Sequence, residues 1–144
     1  MSDEPLFALS IRQPWVDLIL RGKKTIEVRE WEIRRRGLVL IHAASALDWR
    51  SVEFFGYESP LGLQRGGIVG AMEIVDVIPL TRESWLERLD QHLVVHQRRL
   101  PQFGAVLANV RSFGRVFRCS GRQYFFPVPA AVAEQTRKAL DSLR

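Results

Sequence analysis

Apolar and polar positions along this chain fall into blocks whose period changes several times. Leu6-Phe7-Ala8-Leu9-Ser10 is a short apolar run of the kind a buried strand shows. Over residues 13–21 the spacing changes. Trp15, Leu18 and Ile19 sit at i, i+3 and i+4, Pro14 suits a first turn and Gly22 a stop, which predicts a helix. Residues 25–31 alternate Thr, Ile, Glu, Val, Arg, Glu, Trp, predicting a strand whose successive side chains face opposite sides. A basic turn, Arg34-Arg35-Arg36-Gly37, leads into Leu38-Val39-Leu40-Ile41-His42-Ala43, an unbroken run that predicts a central strand.

Residues 45–57 read as a short helix with Asp48 near its start, followed by a loop through Pro60, Gly62, Gly66 and Gly67. Residues 68–77 form a second long apolar strand, interrupted by Glu73 and by Gly70, which marks a bulge or a close backbone approach. Thr81-Arg82-Glu83-Ser84 approximates a capping box before a helix reaching about Leu89. Residues 103–110 read as strand, 113–121 as an arginine-rich loop or hairpin, 124–126 as a short strand and 130–143 as an amphipathic helix. Five or six strands with three or four helices, in no βαβ rhythm, predict an α+β fold around a curled sheet or small barrel.

Composition narrows the class. A chain of 144 residues reads as one domain, 1–144, large enough to bury a core unaided. No apolar run reaches the roughly 18 residues of a membrane span. Met1-Ser2-Asp3-Glu4 lacks the apolar core of a secretory signal, so a cytoplasmic protein without membrane partners is expected. Cys119 is the only cysteine, which rules out an internal disulfide and a cysteine-rich zinc site. The three histidines offer no metal-ligand grouping; His92 and His96 stand one helical turn apart but away from other candidates. No metal and no cofactor are expected.

Charge adds a direction. The net charge is +5, and 18 of the 21 basic residues are arginine. Arginine grips phosphate bidentately and stacks on flat rings, although a GC-rich coding sequence would also favour it. No acidic residue falls between Asp90 and Glu134, while Arg98, Arg99, Arg111, Arg115, Arg118 and Arg122 do, which predicts a positive lobe.

Candidate chemistry gathers near the first helix. Alternation puts Thr25, Glu27 and Arg29 on one strand face beside Lys23 and Lys24. The group reads either as an acid–base arrangement or as an ion network worth about 0–1 kcal/mol at a surface. Arg12, Gln13 and Trp15 offer a guanidinium, an amide and a ring at a strand–helix junction, though Trp15 also has core spacing. His42, ending an apolar strand, is a phosphate donor or a structural residue. Glu73 should face a cleft or pair with an arginine, since an unpaired buried carboxylate is costly. Arg115, Arg118, Arg122 and Tyr124 mix charge with a flat ring, as single-stranded nucleic-acid sites do, or form a solvated hairpin. Cys119 among them is a reactive thiolate or a silent cysteine.

Leu9-Ser10-Ile11-Arg12-Gln13-Pro14-Trp15 followed by Gly22-Lys23-Lys24-Thr25-Ile26-Glu27-Val28-Arg29 resembles the opening motif of the ASCH domain family, related in fold to PUA RNA-binding domains. The resemblance continues through residues 40–44, 67–71 and 121–123. It implies an α+β, PUA-like curled sheet or β-barrel of five or six strands with flanking helices. The implied cleft lies between the first helix, the strand after it and late loops. The resemblance also implies nucleic-acid or nucleoside binding: single-stranded RNA or DNA, or a nucleotide. Some small members are amidohydrolases acting on N4-acetylcytidine, with a lysine base that corresponds to Lys24. Their threonine nucleophile corresponds to Glu27, a poor substitute because the mixed anhydride it would form is high in energy. Another member is a single-strand ribonuclease. A metal-independent version here would use Glu27 as base and Lys24 or Arg29 to stabilise charge. The expected function is single-stranded RNA binding, with these hydrolase activities as alternatives.

Overall fold

The computed structural model describes residues 4–96 and 99–143; Arg98, one of the arginines of the acid-free stretch, lies outside them. Six strands form one mixed sheet: β1 (Phe7–Gln13), β2 (Ile26–Arg29), β3 (Gly37–Leu47), β4 (Gly67–Leu80), β5 (Gln102–Arg118) and β6 (Phe125–Pro127). Five α-helices accompany them: α1 (Trp15–Leu20), α2 (Trp49–Phe54), α3 (Arg82–Glu87), α4 (Leu89–His92) and α5 (Ala130–Ser142). The strand order is β2-β5-β4-β3-β1-β6, with β1 and β3 parallel and the other pairs antiparallel.

The unbroken run at residues 38–43 follows from its position. Both faces of β3 are covered, so Leu40 joins Ala8, Ile68, Phe126 and the α5 residues Ala133 and Leu140 in one core. Val39 and Ile41 join Leu9, Ile11, Val69, Met72 and the α1 residues Trp15, Val16 and Ile19 in another. A strand buried on both sides has no polar alternation to show. Gly70 is required by close approach: a Cβ there would lie 2.4 Å from the Arg111 carbonyl oxygen, and the β4 register shifts around it on both sides.

Of the two expected forms, curled sheet or barrel, the curled sheet is the one present and the barrel is not closed. Among the described residues β2 pairs only with β5 and β6 only with β1, so no backbone ladder joins the two edges. The sheet curls until those edges meet through side chains. Arg29 of β2 donates to the Ser10 carbonyl of β1 (Nη2–O 3.0 Å), and Trp31 packs edge-to-face on Phe125 of β6 (5.5 Å). With edge strands of only four and three residues, too little backbone is present to zip the seam.

Other boundaries moved where pairing overrode local pattern. The helix expected over 45–57 contracts to α2, because β3 continues until Leu47 pairs with Gln13. Asp48 caps α2 by accepting from the Ser51 amide (3.2 Å). The expected capping box is present, Thr81 and Ser84 each accepting from the other's amide. The helix after it breaks at Arg88, and α4 stops at Leu93, whose φ is 63°. His92 and His96 therefore do not share a helix. The expected arginine-rich loop at 113–121 is largely the end of β5: residues 113–116 swing out around Gly114 before Phe117 pairs with Ile68.

Candidate functional site

The unclosed seam holds a cleft of about 1180 Å³. The ends of β1 and β3 form one part of it, β2 a second, and the β5–β6 connection a third. At its base Glu27 is buried, and its Oε2 accepts from both Arg29 Nη2 (2.8 Å) and Nε (3.2 Å). Its Oε1 lies 3.6 Å from Lys24 Nζ. Lys24 is buried in turn, donating to the His92 carbonyl (2.5 Å) with its ammonium 4.7 Å from the centre of the Trp15 ring. One carboxylate between two cations is the arrangement that makes charge burial tolerable. The strand alternation read from sequence is what aims Glu27 and Arg29 the same way.

Ser10 and His42 are register partners on the parallel strands β1 and β3. His42 Nε2 lies 2.8 Å from the Cys119 carbonyl and Nδ1 2.9 Å from Ser10 Oγ. A carbonyl oxygen only accepts, so Nε2 carries the proton and Nδ1 accepts from the Ser10 hydroxyl. Burial pushes the His42 imidazole below its ordinary value of 6.5, and the bond to the Cys119 carbonyl offsets part of that. Gly121 packs so closely that a Cβ there would lie 2.7 Å from Ser10 Oγ and 2.8 Å from His42 Cε1.

The rim carries exposed Arg12, Arg99 and Arg122 together with Trp31 and Tyr124, whose rings meet edge-to-face at 5.0 Å. Tyr124 is half-exposed and has a φ of 62°, a strained conformation for a bulky L-residue. Among the described residues five cations line the cleft against three carboxylates, Glu27, Glu30 and Asp48. Trp15 serves core and cleft together: it packs on Phe55 (5.6 Å) and donates to Asp48 Oδ2 (3.0 Å).

Of the residues weighed from sequence as site candidates, Arg12, Trp15, Lys24, Glu27, Arg29, His42, Cys119, Arg122 and Tyr124 line this cleft. Six do not. Gln13 is buried, donating to the Gln64 carbonyl and accepting from the Asp17 amide. Lys23 is exposed outside the cleft, and Thr25 uses its backbone to tie β2 to Gln91 and Leu107. Arg115 stacks on Phe117 (4.5 Å), and Arg118 sits in the β5 ladder opposite Gly67. The acid-free stretch is thus divided between cleft and outer sheet. Among the described residues Glu73 neither lines the cleft nor pairs with an arginine; it accepts from Asn109 Nδ2 (3.2 Å). Burial pushes the Cys119 thiol up, which argues against a reactive thiolate.

Sequence reasoning missed Ser10, Trp31, Arg99 and Gly121 as cleft residues, and His92 as the acceptor beneath Lys24. Ser10 and Trp31 stand inside or beside the opening motif, so their position was a signal; His92, 68 residues from Lys24, gave none. Among the described residues no group of three or more His, Cys, Asp or Glu could hold a metal, and no helix is long and apolar enough to cross a membrane.

An open curled sheet with a charged seam defines the fold class, and the ASCH domain profile matches residues 9–117. The chain belongs to the ASCH domain family. It is similar in structure to the ASCH protein of Zymomonas mobilis, with a TM-score of 0.65 at 10% identity over 94% of this chain and 96% of that one. A serine-to-alanine variant of that protein gives 0.67 at 11% identity, over 96% and 98% of the two chains. A tyrosine-to-phenylalanine variant gives 0.65 at 10%, over 94% and 98%. At such identities the likeness establishes the fold alone. No curated protein matches the chain.

Proposed function

We propose that the cleft is a binding site for single-stranded RNA, gripping phosphate with its arginines and resting a base against its aromatic rim. The observation that carries this reading is the grouping of exposed Arg12, Arg99 and Arg122 around the Trp31–Tyr124 pair at one opening. Charge and flat rings together are what unpaired nucleotides bind. A volume of about 1180 Å³, near the upper end of the roughly 300–1,000 Å³ usual for small ligands, gives room for a nucleotide unit. Kinship with PUA-like RNA-binding domains points the same way. Fluorescence anisotropy with short labelled RNA at two salt concentrations tests it: affinity should fall steeply with salt. Absence of binding at low salt refutes it.

A second, hydrolytic reading rests on Lys24 and Glu27 lying 3.6 Å apart at the base of the cleft. Deacetylation of a modified cytidine fits poorly, because Glu27 replaces the nucleophilic threonine and the contacts of Lys24 suit an ammonium ion rather than a free amine. RNA cleavage with Glu27 as base requires the carboxylate to release Arg29. Cleavage by that route should persist in a chelator, leave 2′,3′-cyclic phosphate ends and vanish in Glu27→Gln. Undiminished cleavage by that variant excludes Glu27 as the base.

A further inference from the structure

The bond order around His42 fixes what Ser10 can offer a ligand. Because the Cys119 carbonyl takes the Nε2 proton, Nδ1 has only a lone pair to present, and the Ser10 hydroxyl spends its single proton there. What Ser10 Oγ retains is acceptor capacity alone. It lines the cleft, and its backbone carbonyl is clamped by Arg29, so the serine is anchored from both ends. Gly121 packs over the pair so closely that a Cβ there would lie within 3 Å of both side chains.

We infer that Ser10 is a specificity-determining acceptor in the cleft, polarised by the His42–Cys119 relay to receive a hydrogen bond from a neutral O–H or N–H donor on the bound nucleotide. This rests on the reading of the cleft as a nucleic-acid site and deepens it. A ligand lacking the donor leaves the Ser10 lone pairs desolvated and unpaired, which is how a polar subsite rejects an analogue more strongly than it rewards the match. Three groups of a nucleotide supply the chemistry: the ribose 2′-hydroxyl, an exocyclic base amine and the ring N–H of uracil or guanine. A hydroxyl free to rotate would accept either a donor or an acceptor and discriminate nothing; the fixed histidine tautomer removes that freedom.

The test measures anisotropy at low salt for six-nucleotide oligocytidine and oligouridine as RNA, DNA and 2′-O-methyl RNA. If the donor is the 2′-hydroxyl, RNA should bind about five- to tenfold tighter than both DNA and 2′-O-methyl RNA, the value of one hydrogen bond. If it is the amine, cytidine should exceed uridine by that factor in all three backbones; if it is the ring N–H, uridine should exceed cytidine. Whichever preference appears should collapse in Ser10→Ala. Should that variant fail to fold for want of a partner on His42, Gly121→Ala provides the second arm. Its added methyl is driven into Ser10 Oγ and should erase the same preference while the outer arginines still bind. A preference that survives in the folded variants, or its absence in the parent, overturns the inference alone. Absence of binding to every oligonucleotide overturns the cleft reading and this inference with it.

Discussion

Arg29 Nη2 bonds Glu27 Oε2 at 2.8 Å and the Ser10 carbonyl at 3.0 Å, so one guanidinium neutralises a buried carboxylate and ties β2 to β1 across the open seam. A point charge cannot reproduce this, because the planar fork serves three bonds in fixed directions. Arg29→Met should destabilise the fold by about 3–5 kcal/mol, the cost of leaving a buried charge short of its partner. Arg29→Lys should recover only part of that. Urea denaturation of both variants measures it. A loss below about 1 kcal/mol for Arg29→Met would mean that Lys24 alone suffices for Glu27.

Acid should weaken the fold from a definite pH. Burial lowers the pKa values of both His42 and His92 from the ordinary 6.5. For His92 the nearby Lys24 lowers it further, while the Trp85 carbonyl and Asp90 work the other way. Both rings accept a hydrogen bond at Nδ1, from Ser10 and from the Val94 amide, which a second proton would displace. The unfolded chain binds protons below about pH 6.5 while the folded chain still resists them. Stability is therefore full above that pH, falls as pH drops toward the lowered folded values and levels beneath them. Urea midpoints from pH 8 to pH 4.5 should show this. The drop should shrink in His42→Gln, and an unchanged profile would remove His42 from the account.

The arginines should separate by location rather than by charge. Arg12→Ala and Arg122→Ala should each weaken RNA binding and reduce the salt slope by about one. Both side chains are exposed, so melting should hardly change. Arg115→Ala and Arg118→Ala, outside the cleft, should leave the affinity within about twofold. Equal losses at all four positions would indicate diffuse electrostatic attraction over the sheet instead of a defined site.

Tyr124 holds a left-handed backbone with its ring half-exposed against Trp31. Tyr124→Gly relieves the backbone and removes the ring, so the protein should melt no lower than the parent. RNA affinity should nonetheless fall by about 1–3 kcal/mol, the range for losing one stacked base. Thermal melting and anisotropy on the same sample distinguish the two. A lowered melting temperature with unchanged affinity would make the tyrosine a structural clasp for the seam.

Much of the architecture was legible because its signals are local. The apolar run at 38–43, the i, i+3, i+4 spacing of Trp15, Leu18 and Ile19, the Thr81 cap and the bulge at Gly70 are written in consecutive residues. The elements they specify are present. Alternation over 25–29 likewise put Glu27 and Arg29 on one face before any contact was known. Period-two geometry needs no partner to be read.

Only the tertiary structure decided what those side chains meet. The extension of β3 to Leu47 depends on Gln13, the continuation of β5 through its arginines on Gly67 and Ile68, and the depth of Lys24 on a carbonyl at His92. Each is a contact between segments remote in sequence, and a local pattern has no access to the neighbour that outbids it. The open seam has the same origin. Sequence specified the strands and left closure undecided, because whether two short edges bond through backbone or through Arg29 and Trp31 depends on how far the sheet has curled when they meet.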